Sequence, residues 1–487
     1  MPESLRCEVA VIGGGSGGFG AALAVARQGL EVILVESGPM LGGTSTLGGV
    51  NCWEMGVGGT GIPYDVYRRL TRVPDAAGIY SMGRHFSYQA GWHWPHRLGK
   101  VIFPGGENLS DPSQRYLDTL RRHPGPGDVR GEAFCRRTWH GVCFEPRAMD
   151  EVMRDMLDET GSCRLKLGVE FVRAECGGGH VRRAWLSDGT AIEADHWVDA
   201  TGDGLLCLAC GCEALCGQDS QERFGEPGAP AQPTAIVNGA TLMYRIARRA
   251  HPAVDPLPDG VPADCWWAPC FPPVCCDQYP CGDRSMNMLP AMEGRECLER
   301  GRPAATAECR RRALAHWHFL QSHFPEFRRF GLASFAPMLG VRESNRIVCE
   351  HMLSEHDILA GIGGQDAADI VALADHALDR HGEQGACPEV AQPYGIPYRC
   401  LIPRGFRNLL VACRAAGFSA IAATSVRLSR TLMQLGQAAG TACALARELK
   451  VELPEVPASD LRAGLRAQHV QLDWPMPDDL RAHLAAE

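Results

Sequence analysis

The chain has 487 residues, room for about two or three domains and a sizeable core, which excludes peptide hormones and small disulfide-stapled scaffolds. Hydrophobic residues make up 45% and charged residues 22%, as in an ordinary globular protein, and the net charge of −9 offers no basic field for nucleic acid or anionic membranes. Lysine occurs only at 100, 166 and 450, leaving Schiff-base chemistry few candidates, whereas 22 cysteines raise the question of redox thiols or a metal.

The first residues run straight into a strand pattern with no secretory leader, so a cytoplasmic location and mostly reduced thiols are expected. Glu8 to Ile12 is an apolar strand, Phe19 to Arg27 an alanine-rich helix and Glu31 to Glu36 a second strand, together a βαβ unit rather than a membrane span. Between strand and helix, Gly13, Gly15 and Gly18 form G-x-G-x-x-G with Ser16 and Gly17 inside it. The first glycine allows a tight turn, the second lets the backbone approach a pyrophosphate, and the third lets helix and strand pack closely. Glu36, at the end of the second strand and followed by Ser37, can accept from both hydroxyls of an adenosine ribose and repels a 2′-phosphate. A second backbone-exposing run, Gly42, Gly43, Thr44, Ser45 and Thr46, suits the far end of a longer dinucleotide.

Further along, a meander starts at Phe171, counted with the cofactor-binding residues, and its last strand ends in Ala200, Thr201, Gly202 and Asp203. Pro252 to Cys281 reads as a Pro/Cys-rich loop or lid. Arg342 and Arg346 share a face if their segment is helical; they can bridge to Glu343 or Glu350, or an arginine can face the flavin, grip a substrate carboxylate or stabilise developing negative charge. Asn408 to Ala412 is a strand, and Leu428 to Glu448 a helix.

Val11 to Glu36 with Gly42 to Thr44, the Ala200 to Asp203 strand end, and Asn408 to Arg414 with Leu435 to Gly440 resemble the FAD-dependent oxidoreductases of glutathione-reductase-type fold. Within that group the chain most resembles the bacterial family related to fumarate reductase and succinate dehydrogenase flavoproteins. The resemblance implies FAD as cofactor, with Glu36 on the adenosine ribose and Gly43 to Thr46 beside the pyrophosphate and ribityl chain. It also implies that Asp203 closes over the cofactor, that Arg414 reaches the ribityl chain, and that Arg427 to Thr431 face the flavin pyrimidine edge. Cys413 and Arg430 depart from the family pattern, which has glycine and commonly proline there.

The fold expected is α/β: a discontinuous, Rossmann-like FAD-binding domain of 1–75, 130–215 and 396–450, an inserted α+β substrate domain at 216–395, and a helical tail at 451–487. No second dinucleotide fingerprint occurs, so electrons come from the substrate, a partner protein or transient NAD(P)H. The dithiol positions of disulfide reductases hold Ser45 and Val50, with only Cys52 nearby. The cysteines lack a convincing ligand spacing and are read as small core residues, with no metal site assigned. Arg342, Cys52 and His93 are the catalytic candidates; His85 and His96 share the segment of His93, and Trp92 to Pro95 is a poor match to a halogenase signature. The function expected is hydride transfer between flavin N5 and a small organic substrate. A flavin monooxygenase or halogenase, and a non-catalytic nucleotide-binding protein, are the alternatives.

Overall fold

The computed structural model describes residues 4–81, 86–90, 98–102, 113–124, 129, 131–365, 368–382 and 387–486. His85, His93, His96 and the Trp92 to Pro95 motif lie outside the described residues.

The apolar run Val9 to Ile12 is buried because its strand, Ser4–Ile12, lies inside a parallel sheet covered on both faces. The parallel order is Cys163–Leu167, Val32–Glu36, Ser4–Ile12, Ala191–Asp199 and Leu409–Val411. Ala191–Asp199 is the pivot. Its first half pairs antiparallel with the meander His180–Leu186 and Phe171–Gly177, and its second half pairs parallel with Leu409–Val411. The six strands and both helices expected from the sequence in this part are present, with ends displaced by a few residues, and Cys163–Leu167 is a further strand.

Helix Ser16–Arg27 covers one face and is crossed by helix Ser429–Leu449 at backbone contact. A Cβ on Gly436 would lie 1.9 Å from the Gly17 carbonyl oxygen, and one on Gly20 would lie 2.2 Å from that of Met433. The small side chains of both helices therefore set the distance between them.

A second core forms on a six-stranded antiparallel sheet in the order Phe330–Phe335, Tyr244–Arg248, Arg284–Met288, Val274–Gln278, Phe86–Ala90, Leu98–Ile102. Helix Arg302–His323 packs on it through Cys309, Ala313, Trp317 and Leu320. This domain differs from the one expected at 216–395 in two ways. Among the described residues its buried core runs from Ala240 to Val341, because Arg346–Ile347 pairs with Ala214–Leu215 and carries Ile347, Cys349, Leu353 and Val371 back into the first core. Two of its strands come from residues 86–102, which the sequence reading gave to neither domain. Within the expected loop at 252–281, Val274–Gln278 is a strand whose Val274 and Cys276 are buried.

The tail docks through Leu461, Leu465, Leu472, Leu480 and Leu484. One pair stands apart from the mostly reduced thiols expected: Cys176 and Cys210 are bonded sulfur to sulfur. The meander strand and the short helix Leu205–Ala209 bring their Cα atoms to 5.7 Å, within reach of a disulfide. Among the described residues no helix is long and apolar enough to cross a membrane.

Candidate functional site

The nucleotide fingerprint folds into a cradle. Gly13 has φ +103°, and a Cβ there would meet the Ala200 carbonyl oxygen at 2.3 Å, so only glycine fits. A Cβ on Gly18 would meet the Gly13 carbonyl oxygen at 1.7 Å, whereas one on Gly15 would meet nothing within 4 Å. Open space thus lies in front of helix Ser16–Arg27, which no side chain caps. Ser16 Oγ is buried there without a hydrogen-bond partner. An uncapped helix start with an orphaned hydroxyl is the donor set a pyrophosphate requires.

Gly42 N–H donates to the Gly14 carbonyl at 2.8 Å, tying the second glycine run to the first, and Gly43 lies against Gly15. Thr44 accepts from Val50 N–H through its carbonyl, Ser45 Oγ lies 3.0 Å from Ser429 Oγ, and Thr46 Oγ1 donates to the Leu41 carbonyl. Glu36 braces the loops: Oε2 accepts from Gly14 N–H at 2.7 Å, and Oε1 from Gly38 N–H at 2.6 Å and from Ser37 Oγ. A carboxylate has about four lone-pair sites, so a ribose can share it. These features fit FAD.

Other expected cofactor residues are placed as follows. Gly17 faces the Ala412 carbonyl oxygen, at 1.9 Å from a Cβ built on it. Phe171 pairs with Leu186 at a strand end, while Val169 N–H donates to the Glu36 carbonyl and so stands nearer Glu36. Thr201 N–H and Oγ1 both donate to Asp199, a buried carboxyl whose pKa is raised by burial and which sequence reading missed. Gly202, at φ +81°, abuts the Arg414 guanidinium. Asp203 joins the two domains: it accepts from Arg414 at 2.5 Å and Ser344 Oγ at 2.6 Å, and pairs with Arg302 on the helix of the inserted domain. Burial raises its pKa, but Arg414 and Arg302 together hold it below the ordinary carboxylate value.

Thr431 is buried near the start of helix Ser429–Leu449. Arg430 does not reach solvent; it is buried and donates to the Glu54 carbonyl and to Thr119. Cys413 is buried, and burial pushes its pKa up to about 12. Cys52 is also buried, with Sγ 3.2 Å from Asp277 Oδ2, in a small sheet with Ala77–Ser81 and His140–Phe144.

The segment 342–346 is not helical, so Arg342 and Arg346 do not share a face and the two arginines diverge. Arg346, 1% exposed, is locked between Asp219 and Glu343 at 3.0 and 2.7 Å. Arg342 instead donates to three neutral acceptors: the Gly239 carbonyl at 2.8 Å, Thr241 Oγ1 at 2.8 Å and Asn287 Oδ1 at 3.4 Å. Among the described residues it has no carboxylate within ion-pair distance. Burial, with Arg427 close by, lowers its pKa to about 9.

Beside it stand Asp379, His381 and Arg427. Asp379 Oδ2 accepts from His381 Nε2 at 2.8 Å and from Arg427 at 2.6 Å. Burial raises the Asp379 pKa, yet His381 and Arg427 hold it well below the ordinary value. All four side chains are surrounded by protein but keep some accessible surface, 14% at His381 and Arg427 and 18% at Asp379. Asp379 and His381 were missed in the sequence; the Asp-x-His spacing was the one local signal.

A Rossmann-like α/β cradle that fits FAD, tied to a second domain through Asp203 and Arg302, defines a flavin-dependent oxidoreductase. Residues 8–465 match the model of the FAD dependent oxidoreductase family, and the chain belongs to that family. FAD is its cofactor. A search of curated proteins returns no match to this sequence. Among solved structures, a geranylgeranyl bacteriochlorophyll reductase-like protein from Thermoplasma acidophilum is similar at 12% identity and TM-score 0.44, over 99% of this chain and 96% of that one. The myxobacterial chondrochloren halogenase is similar at 12% identity and TM-score 0.43, over 96% and 80%. L-Amino acid deaminase from Proteus myxofaciens is similar at 11% identity and TM-score 0.39, over 94% and 92%.

Proposed function

We propose that this enzyme transfers a hydride between FAD and a small anionic organic substrate held in the cleft of Arg342, Asp379, His381 and Arg427. The observation that carries the proposal is Arg342, a buried guanidinium whose partners are all neutral. A cation set this deep with Asp379 near it but no carboxylate in direct contact is costly, and a substrate carboxylate relieves that cost with charge-assisted hydrogen bonds. FAD supplies the two-electron acceptor or donor. Thr241 and Asn287 fix the plane of the Arg342 guanidinium, and Asp379 fixes Arg427, so the cleft is oriented before substrate arrives. Electrons are returned by NAD(P)H or an electron-transfer partner.

The test is anaerobic bleaching of FAD absorbance by a panel of carboxylic acids, alcohols, amines and enoates, with and without NAD(P)H. Bleaching by carboxylate-bearing members is expected, with half-saturation raised at least about tenfold in Arg342→Gln at unchanged FAD content. Equal bleaching by uncharged members would overturn the anionic substrate. Reduction by NAD(P)H alone followed by oxygen-dependent product would replace hydride transfer with monooxygenation.

A further inference from the structure

Resting on that reading of the cleft, we propose that His381, held by Asp379 beside Arg342 and Arg427, is the base that takes the hydroxyl proton when a 2-hydroxy acid is oxidised. The argument begins with the tautomer. Asp379 is ionised and can only accept, so Nε2 of His381 carries the proton of their 2.8 Å hydrogen bond. Nδ1 is then the basic nitrogen, and it has no hydrogen-bond partner among the described residues. The backbone fixes the ring further: His381 N–H donates to Asn238 Oδ1 at 2.8 Å, and the His381 carbonyl accepts from Gly239 N–H, the residue whose own carbonyl holds Arg342.

The substrate class follows from what stands around this base. Arg342 and Arg427 call for a carboxylate, and a proton acceptor next to them calls for an O–H group close to that carboxylate. In the step, the substrate O–H bond breaks and its proton goes to Nδ1. The C–H bond on the same carbon breaks with its electron pair leaving as hydride to FAD, and a C=O bond forms. The alcohol carbon is oxidised and FAD is reduced, so no further oxidant is needed.

The same cations make the base conditional on its substrate. Burial and then Arg342 lower the His381 pKa to about 4 against the pull of Asp379, with Arg427 adding to the depression. The charged groups around the ring are Asp379 and Arg380 on its own segment, Arg342 and Arg427 across the cleft, and Glu293 against Gly382. Asp219, Glu226 and Glu343 line a small cavity that His381 shares. A bound carboxylate neutralises the two cleft arginines and so returns basicity to His381 when there is a proton to take.

The experiment is a pH titration of the FAD-loaded protein carrying ¹⁵N-labelled histidine, read by NMR with and without pyruvate as a non-oxidisable carboxylate probe. His381 is assigned by its loss in His381→Gln. The expected result is an Nε2–H tautomer titrating near pH 4 without probe, shifted up by about one pH unit or more at saturating pyruvate. Asp379→Asn should abolish the tautomer preference, and His381→Gln should slow bleaching by 2-hydroxy acids roughly 10²–10⁴-fold and flatten its pH profile, with FAD bound as before. Pyruvate that perturbs the flavin spectrum while His381 stays unmoved would overturn the base alone. No perturbation by pyruvate would overturn the anionic cleft and this proposal with it.

Discussion

Gly436→Ala tests whether backbone contact between two helices holds the cofactor cradle. The added Cβ would sit 1.9 Å from the Gly17 carbonyl oxygen, roughly 1.5 Å short of van der Waals contact. The obstacle is backbone inside a helix, so no rotamer change relieves it, and helix Ser16–Arg27 must move as a body. Overpacking of this kind costs about 1–3 kcal/mol, offset by up to about 1 kcal/mol because alanine is the better helix former. For a chain of 487 residues a net loss of ~1–2 kcal/mol corresponds to a Tm lower by about 1–2 °C. Because Gly13 to Gly18 ride on the displaced helix, the FAD Kd should rise at least about tenfold. Gly464→Ala is the control of opposite sign: it too lies within a helix, but its Cβ would meet only Thr441 Cγ2 at 3.4 Å, and about 0.5–1 kcal/mol should be gained. Thermal melts of the apo- and FAD-loaded forms, with FAD titration by fluorescence, give both numbers. A Gly436→Ala protein with wild-type Tm and FAD affinity would refute the reasoning.

Three further outcomes follow from buried charge. Arg346→Ala should cost about 3–5 kcal/mol in denaturant unfolding, because Asp219 and Glu343 are left buried without their cation, and Arg346→Met should not restore it. Asp203 has a folded-state pKa below its unfolded value, so its stabilisation is present above about pH 4 and lost as pH falls through the depressed pKa; the Tm gap between wild type and Asp203→Asn should close over that range. His316 is buried neutral with its pKa lowered by burial to about 4, so the unfolded chain binds the extra proton. Stability should therefore fall as pH drops from about 6.5 towards 4, and His316→Gln should blunt that fall.

The cradle was legible because its geometry is local: five glycines within six residues declare a tight turn and a helix start together, and the acidic strand end at Glu36 lies against that turn. The cleft was not, because it is assembled from residues near 240, 287, 342, 380 and 427 that no periodicity links. Arg342 was singled out on a helical spacing that the chain does not adopt, and Arg346, its supposed partner on one face, is committed to a buried ion cluster. Asp379 and His381 left no pattern beyond their spacing in a chain with many acids and histidines. The domain boundary was misplaced for a related reason: composition does not change where the chain leaves the second core, only its strand partner does. The cysteines were read rightly as core residues at positions such as Cys309 and Cys349, while the pairing of Cys176 with Cys210 depends on a meander meeting a helix end.

The pivot strand Ala191–Asp199 has a consequence for how the protein is made. Its parallel neighbour Leu409–Val411, and the helix Ser429–Leu449 that seals the glycine cradle, leave the ribosome only after the entire inserted domain. The nascent chain therefore carries its nucleotide fingerprint for most of its synthesis on a sheet with one side open, and the inserted domain, with a core of its own, is free to form first. The cradle's first glycines are thus made near the beginning of synthesis and the helix that packs on them near its end.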